Sequence, residues 1–120
     1  MVLFLQKTYY NDIKEGTETM IKHVILWKLK PEYSTDKKAE VLAGIKKNLE
    51  ALSGVVPGLI EIKVNCENIL ASSNADLMLD STLENEAALK GYAVHPAHVA
   101  AADTYIRPFT EVRLCLDFEI

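Results

Sequence analysis

The order of hydrophobic periodicities along this chain predicts an α+β fold, a ferredoxin-like sandwich with the element order β-α-β-β-α-β. Three observations carry the prediction. Strand-like apolar runs occur at residues 21–29, 59–64, 75–82 and 110–120. Helical spacing fills the gaps between the first and second runs and between the third and fourth. Finally, 120 residues with 49% hydrophobic and 25% charged content suffice for one domain with a real core.

Residues 1–19 do not match the rest of the chain and read as an N-terminal extension to a domain spanning 20–120. They fit an appended tag or mis-assigned start, an unstructured tail, or an extra strand, drawn from residues 2–5 and Tyr9-Tyr10, added to an open sheet edge. Met20 could itself be the start. Ile21–Leu29 is the first core strand. His23, Ile25, Trp27 and Leu29 share one face, and Val24 and Leu26 share the other with Lys22 and Lys28. Lys30-Pro31-Glu32-Tyr33 breaks it.

Ser34 or Thr35 can cap a helix reaching about residue 53, with Ala39, Leu42, Ile45, Leu49 and Leu52 as its apolar stripe and Gly54 as its stop. Pro57-Gly58 turns the chain into residues 59–64, where Ile60, Ile62 and Val64 do not alternate cleanly against Leu59 and Lys63. Residues 65–74 are a polar connection to the strand at 75–82. Asn85 caps a short helix to Tyr92 with Ala88, Leu89 and Tyr92 inward, and Ser81 with Glu84 is a competing capping box. Pro96 opens a helix over 96–106, with Val99, Ala102 and Ile106 inward, ended by Pro108. In the last run Val112, Leu114, Leu116 and Phe118 alternate against Glu111, Arg113, Cys115, Asp117 and Glu119.

Helices can cover only one face of such a sheet. The other keeps Val24 and Leu26 with parts of the other strands, a liability in water. A second copy packed face to face removes it, so a two-fold homodimer is expected.

A net charge of −4 and a pI near 5.3 argue against nucleic acid as a partner. No apolar run approaches the roughly 20 residues of a membrane span, and the run 1–5 is too short for a signal peptide. No membrane association and a cytoplasmic location are therefore expected. Cys66 and Cys115 lack metal or redox spacing and read as free, reduced, small hydrophobes.

The chemistry concentrates in Tyr92-Ala93-Val94-His95-Pro96-Ala97-His98-Val99. Pro96 forces a corner at His95 and places His98 in the first turn of the next helix. The partial positive charge of that helix end favours a neutral imidazole, the form that accepts a proton. His98 can then serve as general base, and Tyr92 can donate to a carbonyl oxygen as it gains charge. The plain alternative is that the two satisfy each other, or a backbone group, in a packed corner. His95 reads as the cap before Pro96, and His23, on an apolar strand face, as a core histidine. The spacing His95-x-x-His98 is compatible with a metal, but the corner at Pro96 separates the directions of the two side chains, so no metal site is expected; nor is any cofactor expected. Asp76, Asp80 and Asp103 have no evident partner and are expected in solvent. Trp27 and Tyr105 read as pocket wall or core.

The opening Met20-Ile21-Lys22-His23-Val24-Ile25-Leu26-Trp27-Lys28-Leu29-Lys30-Pro31, the Tyr92-x-x-His95-Pro96-x-His98 signature and the closing Arg107-Pro108 before an apolar strand resemble the Dabb family, the stress-responsive α/β-barrel domain, over residues 20–120. The resemblance implies a dimer whose four-stranded sheets face each other as a barrel, with a pocket between sheet and helices in each subunit. One branch of the family, a plant polyketide cyclase, closes a ring by aldol chemistry without metal or cofactor. Its working tyrosine and histidine match Tyr92 and His98, and its first-strand pocket histidine matches His23. Where it has a third-strand histidine, this chain has Leu77. Ile25, Trp27, Leu77 and His95 are expected around the ligand. The leading expectation is a homodimer binding a small apolar organic molecule. The alternatives are a cofactor-free cyclase-like enzyme, with His98 as base, Tyr92 as oxyanion donor and His23 as a polar pocket group, and a structural stress protein without catalysis.

Overall fold

The run Ile-Lys-His-Val-Ile-Leu-Trp-Lys-Leu forms strand β1, Ile21–Leu29, and its two faces have different fates. Ile21, His23, Ile25, Trp27 and Leu29 are buried on the helix side, while Lys22, Val24, Leu26 and Lys28 point the other way. The structure, a computed structural model, describes residues 19–120; the readings placed on residues 1–18, the extra edge strand among them, lie outside the described residues.

Strand β2 is Leu59–Asn65, β3 is Leu77–Leu83 and β4 is Thr110–Glu119. β1 pairs antiparallel with β3 on one side and β4 on the other, and β2 pairs antiparallel with β3. The sheet order is β2-β3-β1-β4. Helices α1 (Thr35–Glu50), α2 (Glu86–Val94) and α3 (Pro96–Ala101) follow the expected order, so the fold is the ferredoxin-like α+β sandwich. None of the described helices is long and apolar enough to cross a membrane.

Local physics accounts for the departures from expectation. The Ser34 hydroxyl caps α1 by accepting from the Lys37 N–H at 3.2 Å. The buried stripe of α1 starts at Val41 and continues through Ile45, Leu49 and, just past the helix, Leu52. Ala39 is exposed and Leu42 half-buried, because turning Val41 inward takes more apolar surface out of water than Ala39 would. The α-helix closes at Glu50, and Leu52 bonds back to the Leu49 carbonyl in a tighter turn before Gly54 at φ 78°. In β2 the register slips between Leu59 and Glu61. This irregularity explains the broken alternation, leaving Ile60 exposed and Ile62 and Val64 buried.

The aspartates expected in solvent without partners all have partners, although Asp103 is exposed as expected. Asp76 accepts from the Leu29 N–H at 2.7 Å and pairs with Lys38 at 3.0 Å, which ties the entry to β3 to the end of β1. Asp80 pairs with Lys22 of the neighbouring strand at 2.6 Å, and Asp103 pairs with Arg107 one helical turn on. Asn85 caps α2, its side chain accepting from the Ala88 N–H at 2.8 Å. The Ser81 hydroxyl instead donates to the His23 carbonyl across the sheet at 2.8 Å. The helix expected over 96–106 divides. After Ala101 the chain widens into a π-helical turn, Ala102–Ile106, and the Arg107 N–H reaches the Ala102 carbonyl five residues back at 2.9 Å.

The helices cover one face of the sheet. The other carries Val24, Leu26, Val112, Leu114, Leu116 and Phe118, with Leu114 and Leu116 each 62% exposed.

Candidate functional site

The corner at His95 builds the site. Its N–H donates to the Tyr92 carbonyl, closing α2, and its extended backbone hands the chain to Pro96 at the start of α3. Its Nδ1 accepts from the Ala97 N–H at 3.1 Å. The side chain is thus committed to the turn. As a result Tyr92, near the end of α2, and His98, in the first turn of α3, lie ring to ring with centroids 4.3 Å apart.

Both residues line a cavity of about 400 Å³ between sheet and helices. Ile25 and Trp27 of β1 line it together with Leu79 of β3, which stands opposite Ile25 in the register. Leu49 of α1, Ala102 and Ile106 of the π-turn, and then Arg107, Thr110 and Arg113 complete the wall. Of the residues expected at the ligand, Ile25, Trp27, Tyr92 and His98 are on that wall. Leu77 lies two residues away on β3, opposite Trp27 and 2% exposed in the core, and Leu79 takes the cavity position. His95 stays in its cap. Tyr105 is exposed, against the expectation of wall or core; the π-turn lays its ring beside Gly44 of α1.

Tyr92 is 1% exposed, and its hydroxyl has no hydrogen-bond partner among the described residues. Burial pushes its pKa up to about 12, with the Arg113 charge pulling the other way, so the phenol keeps its proton at neutral pH. His98 Nδ1 lies 3.3 Å from the Ala93 carbonyl. A carbonyl can only accept, so Nδ1 carries the hydrogen and, in the neutral ring, Nε2 presents a lone pair. Burial holds the His98 pKa below its ordinary value. The Ala93 bond opposes this, and the charges of Arg107, His23 and Arg113 add to it. Desolvation is the largest of these effects and favours the neutral imidazole.

His23 is buried beside Tyr92, with ring centroids 5.8 Å apart in an edge-on arrangement. Its Nδ1 lies 2.5 Å from Asp117 Oδ1, its cross-strand neighbour on β4. His23 therefore backs Tyr92 without lining the cavity. Cys66 is free and half-buried. Cys115 is free and exposed, unlike the buried hydrophobe expected, because β4 is an edge strand. Among the described residues one group has the donors for a metal ion: His23, Cys115 and Asp117, with ligand atoms mutually within 4.8 Å. None of the three is a wall of the cavity.

Arg107 and Arg113 are cavity residues without an expected site role: in the sequence Arg107 stands out only in the closing Arg107-Pro108, and Arg113 only as an alternating residue of the last strand. One signal was present: they are the only arginines in the chain. Their convergence depends on the π-turn and on the β1–β4 register, which the sequence does not display.

An antiparallel four-stranded sheet with helices on one face and a cavity between the layers defines a ferredoxin-like α+β domain. The chain belongs to the Dabb family, the stress-responsive A/B barrel domain, whose sequence profile matches residues 21–120. It is similar to a dimeric ferredoxin-like protein of unknown function from Bacteroides fragilis, at 32% identity and a TM-score of 0.78, covering 84% of this chain and 96% of that one. A Dabb family protein from Mesorhizobium loti shares the fold at 23% identity and a TM-score of 0.65, covering 84% of this chain and 96% of that one. So does a hydroxynitrile lyase from Passiflora edulis, at 16% identity and a TM-score of 0.66, covering 86% and 94%. Among curated proteins, nothing matches the chain significantly.

Proposed function

We propose that the protein works as a homodimer and binds a small, largely apolar organic molecule in the cavity, with the Tyr92 hydroxyl donating a hydrogen bond to it. The orphaned Tyr92 hydroxyl carries this reading. A buried hydroxyl left without a partner costs about 1–3 kcal/mol, which a ligand acceptor reaching it from the cavity would recover. Ile25, Trp27, Leu49 and Leu79 supply an apolar surround for the rest of the ligand. The dimer is supported by the uncovered apolar face of the sheet and by the dimeric state described for the Bacteroides fragilis protein. The test is calorimetric titration with butyrophenone, an aromatic ketone. The native chain should bind it, and Tyr92→Phe should bind it roughly tenfold more weakly, the worth of one hydrogen bond. Equal affinity in the two proteins, or no binding to either, would sink the reading.

A second reading, cofactor-free acid–base catalysis, is favoured by the state of His98. Nε2 takes a proton from the carbon beside a ligand carbonyl, and the electron pair moves onto the carbonyl oxygen. Tyr92 stabilises that oxygen by donating to it. The enolate then adds to a second carbonyl, a carbon–carbon bond forms, and the imidazolium returns its proton to the new alkoxide. The proton-abstraction half is measurable alone, as deuterium exchange at the carbon beside the butyrophenone carbonyl followed by NMR. Exchange should fall off at a pH below about 6.5, the ordinary histidine value, because burial holds the His98 pKa down. It should vanish in His98→Ala. Exchange at the same rate in that variant would rule His98 out as the base.

A further inference from the structure

The chain carries 13 basic residues, and only two of them are arginines. Both arginines line the cavity. They arrive from different elements: Arg107 follows the π-turn, and Arg113 sits on β4 opposite Trp27 in the register. Arg107 is held by Asp103 in an exposed ion pair. Arg113 takes part in none of the ion pairs among the described residues. The protein as a whole is acidic, at net charge −4, so a cavity edge carrying two guanidinium groups runs against its overall charge.

Deepening the ligand-binding reading, on which it rests, we infer that the cavity is built for an organic carboxylate: an apolar body inside against Ile25 and Trp27, an oxygen acceptor at Tyr92, and the carboxylate at the mouth on Arg113. A guanidinium presents paired N–H donors that match a carboxylate's two oxygens, which an ammonium does not. Arg113 is exposed whereas Tyr92 is buried, so charge stays at the wet end and apolar surface goes to the dry end. That division avoids placing an unpaired carboxylate in the interior. The Arg107–Asp103 pair leaves Arg113 as the cation that takes the ligand.

The test compares 3-benzoylpropanoate with butyrophenone, the aromatic ketone with and without a carboxylate, by calorimetry on the full chain. The acid should bind at least tenfold more tightly at low ionic strength, and the gap should shrink as salt is added. Arg113→Met should close most of the gap, the acid losing far more affinity than butyrophenone does. Arg113→Lys, which keeps the charge and loses the fork, should retain part of it. Circular dichroism of each variant reports that it is folded. If butyrophenone binds as well as the acid, the carboxylate assignment fails and the ligand-binding reading stands. If Arg113→Met weakens both ligands alike, the assignment fails too. If neither ligand binds the native chain, both fall together.

Discussion

At the scale of single residues, Tyr92 and Asp76 show opposite ways of placing a polar group inside. Tyr92 buries a hydroxyl that the described chain leaves unpartnered. Replacing it with Phe removes that liability and keeps the ring packing against His98. Tyr92→Phe should therefore be neutral or stabilising, by up to about 1 kcal/mol in urea unfolding, even while ligand binding falls. A loss of more than about 1 kcal/mol would mean the hydroxyl has a partner in the folded protein. Asp76, by contrast, is fully engaged. Burial pushes its pKa up, but the Leu29 N–H and Lys38 outweigh it, and the net shift is downward. A folded pKa below the unfolded one adds stability at neutral pH that is lost as pH falls through the folded value. Asp76→Ala should cost about 1–3 kcal/mol at pH 7 by stranding the Leu29 N–H. The difference from native should narrow below about pH 4, near the unfolded aspartate value. A gap that stays constant from pH 7 to pH 3 would show that the carboxylate charge is not what matters. Asp76 was illegible in the sequence because its partners are remote: the Leu29 N–H lies 47 residues back along the chain.

At the scale of elements, the features written in local chemistry were legible. Ser34 and Asn85 cap the helices they were expected to cap, and the corner at His95-Pro96 falls where proline stereochemistry puts it. Features set by what an element packs against were not. The inward phase of α1 is chosen by the sheet beneath it, and the π-turn widens a run that looks helical throughout. That turn brings Ile106 and Arg107 to the cavity, so the misreading of one helix hid part of the site. Gly54 and Gly58 test the same distinction. Both have positive φ, 78° and 81°, so either substitution by Ala meets the left-handed penalty of about 1–2 kcal/mol. A Cβ at Gly54 meets nothing within 4 Å, whereas at Gly58 it falls 2.5 Å from the Ala88 Cβ of α2. Gly58→Ala should thus be clearly more destabilising than Gly54→Ala in urea unfolding, since it must push α2 away from the turn into β2. Equal losses would show that backbone conformation alone sets both.

At the scale of the whole molecule, β4 is the strand whose environment the single chain does not explain. It is an edge strand, and Val112, Leu114, Leu116 and Phe118 all lie open on the face away from the helices. With Val24 and Leu26 of β1 in register beside Leu116 and Leu114, they form a continuous apolar surface. This surface was legible because strict alternation gave β4 an apolar face while the helices had already been assigned to the other side. Packing two such faces together would bury both, and the two-fold relation would bring each β4 residue against the same patch of the partner. Folding and association would then be linked, so the urea midpoint should rise with protein concentration. Leu116→Asp places a charge at the centre of the patch, where burial would leave it unpaired. That variant should sediment as a monomer at micromolar concentration and lose the concentration dependence of its midpoint, while its circular dichroism keeps the α+β signature. A native chain that sediments as a monomer, or a variant that still sediments as a dimer, would mean that this face is covered by something other than its own copy.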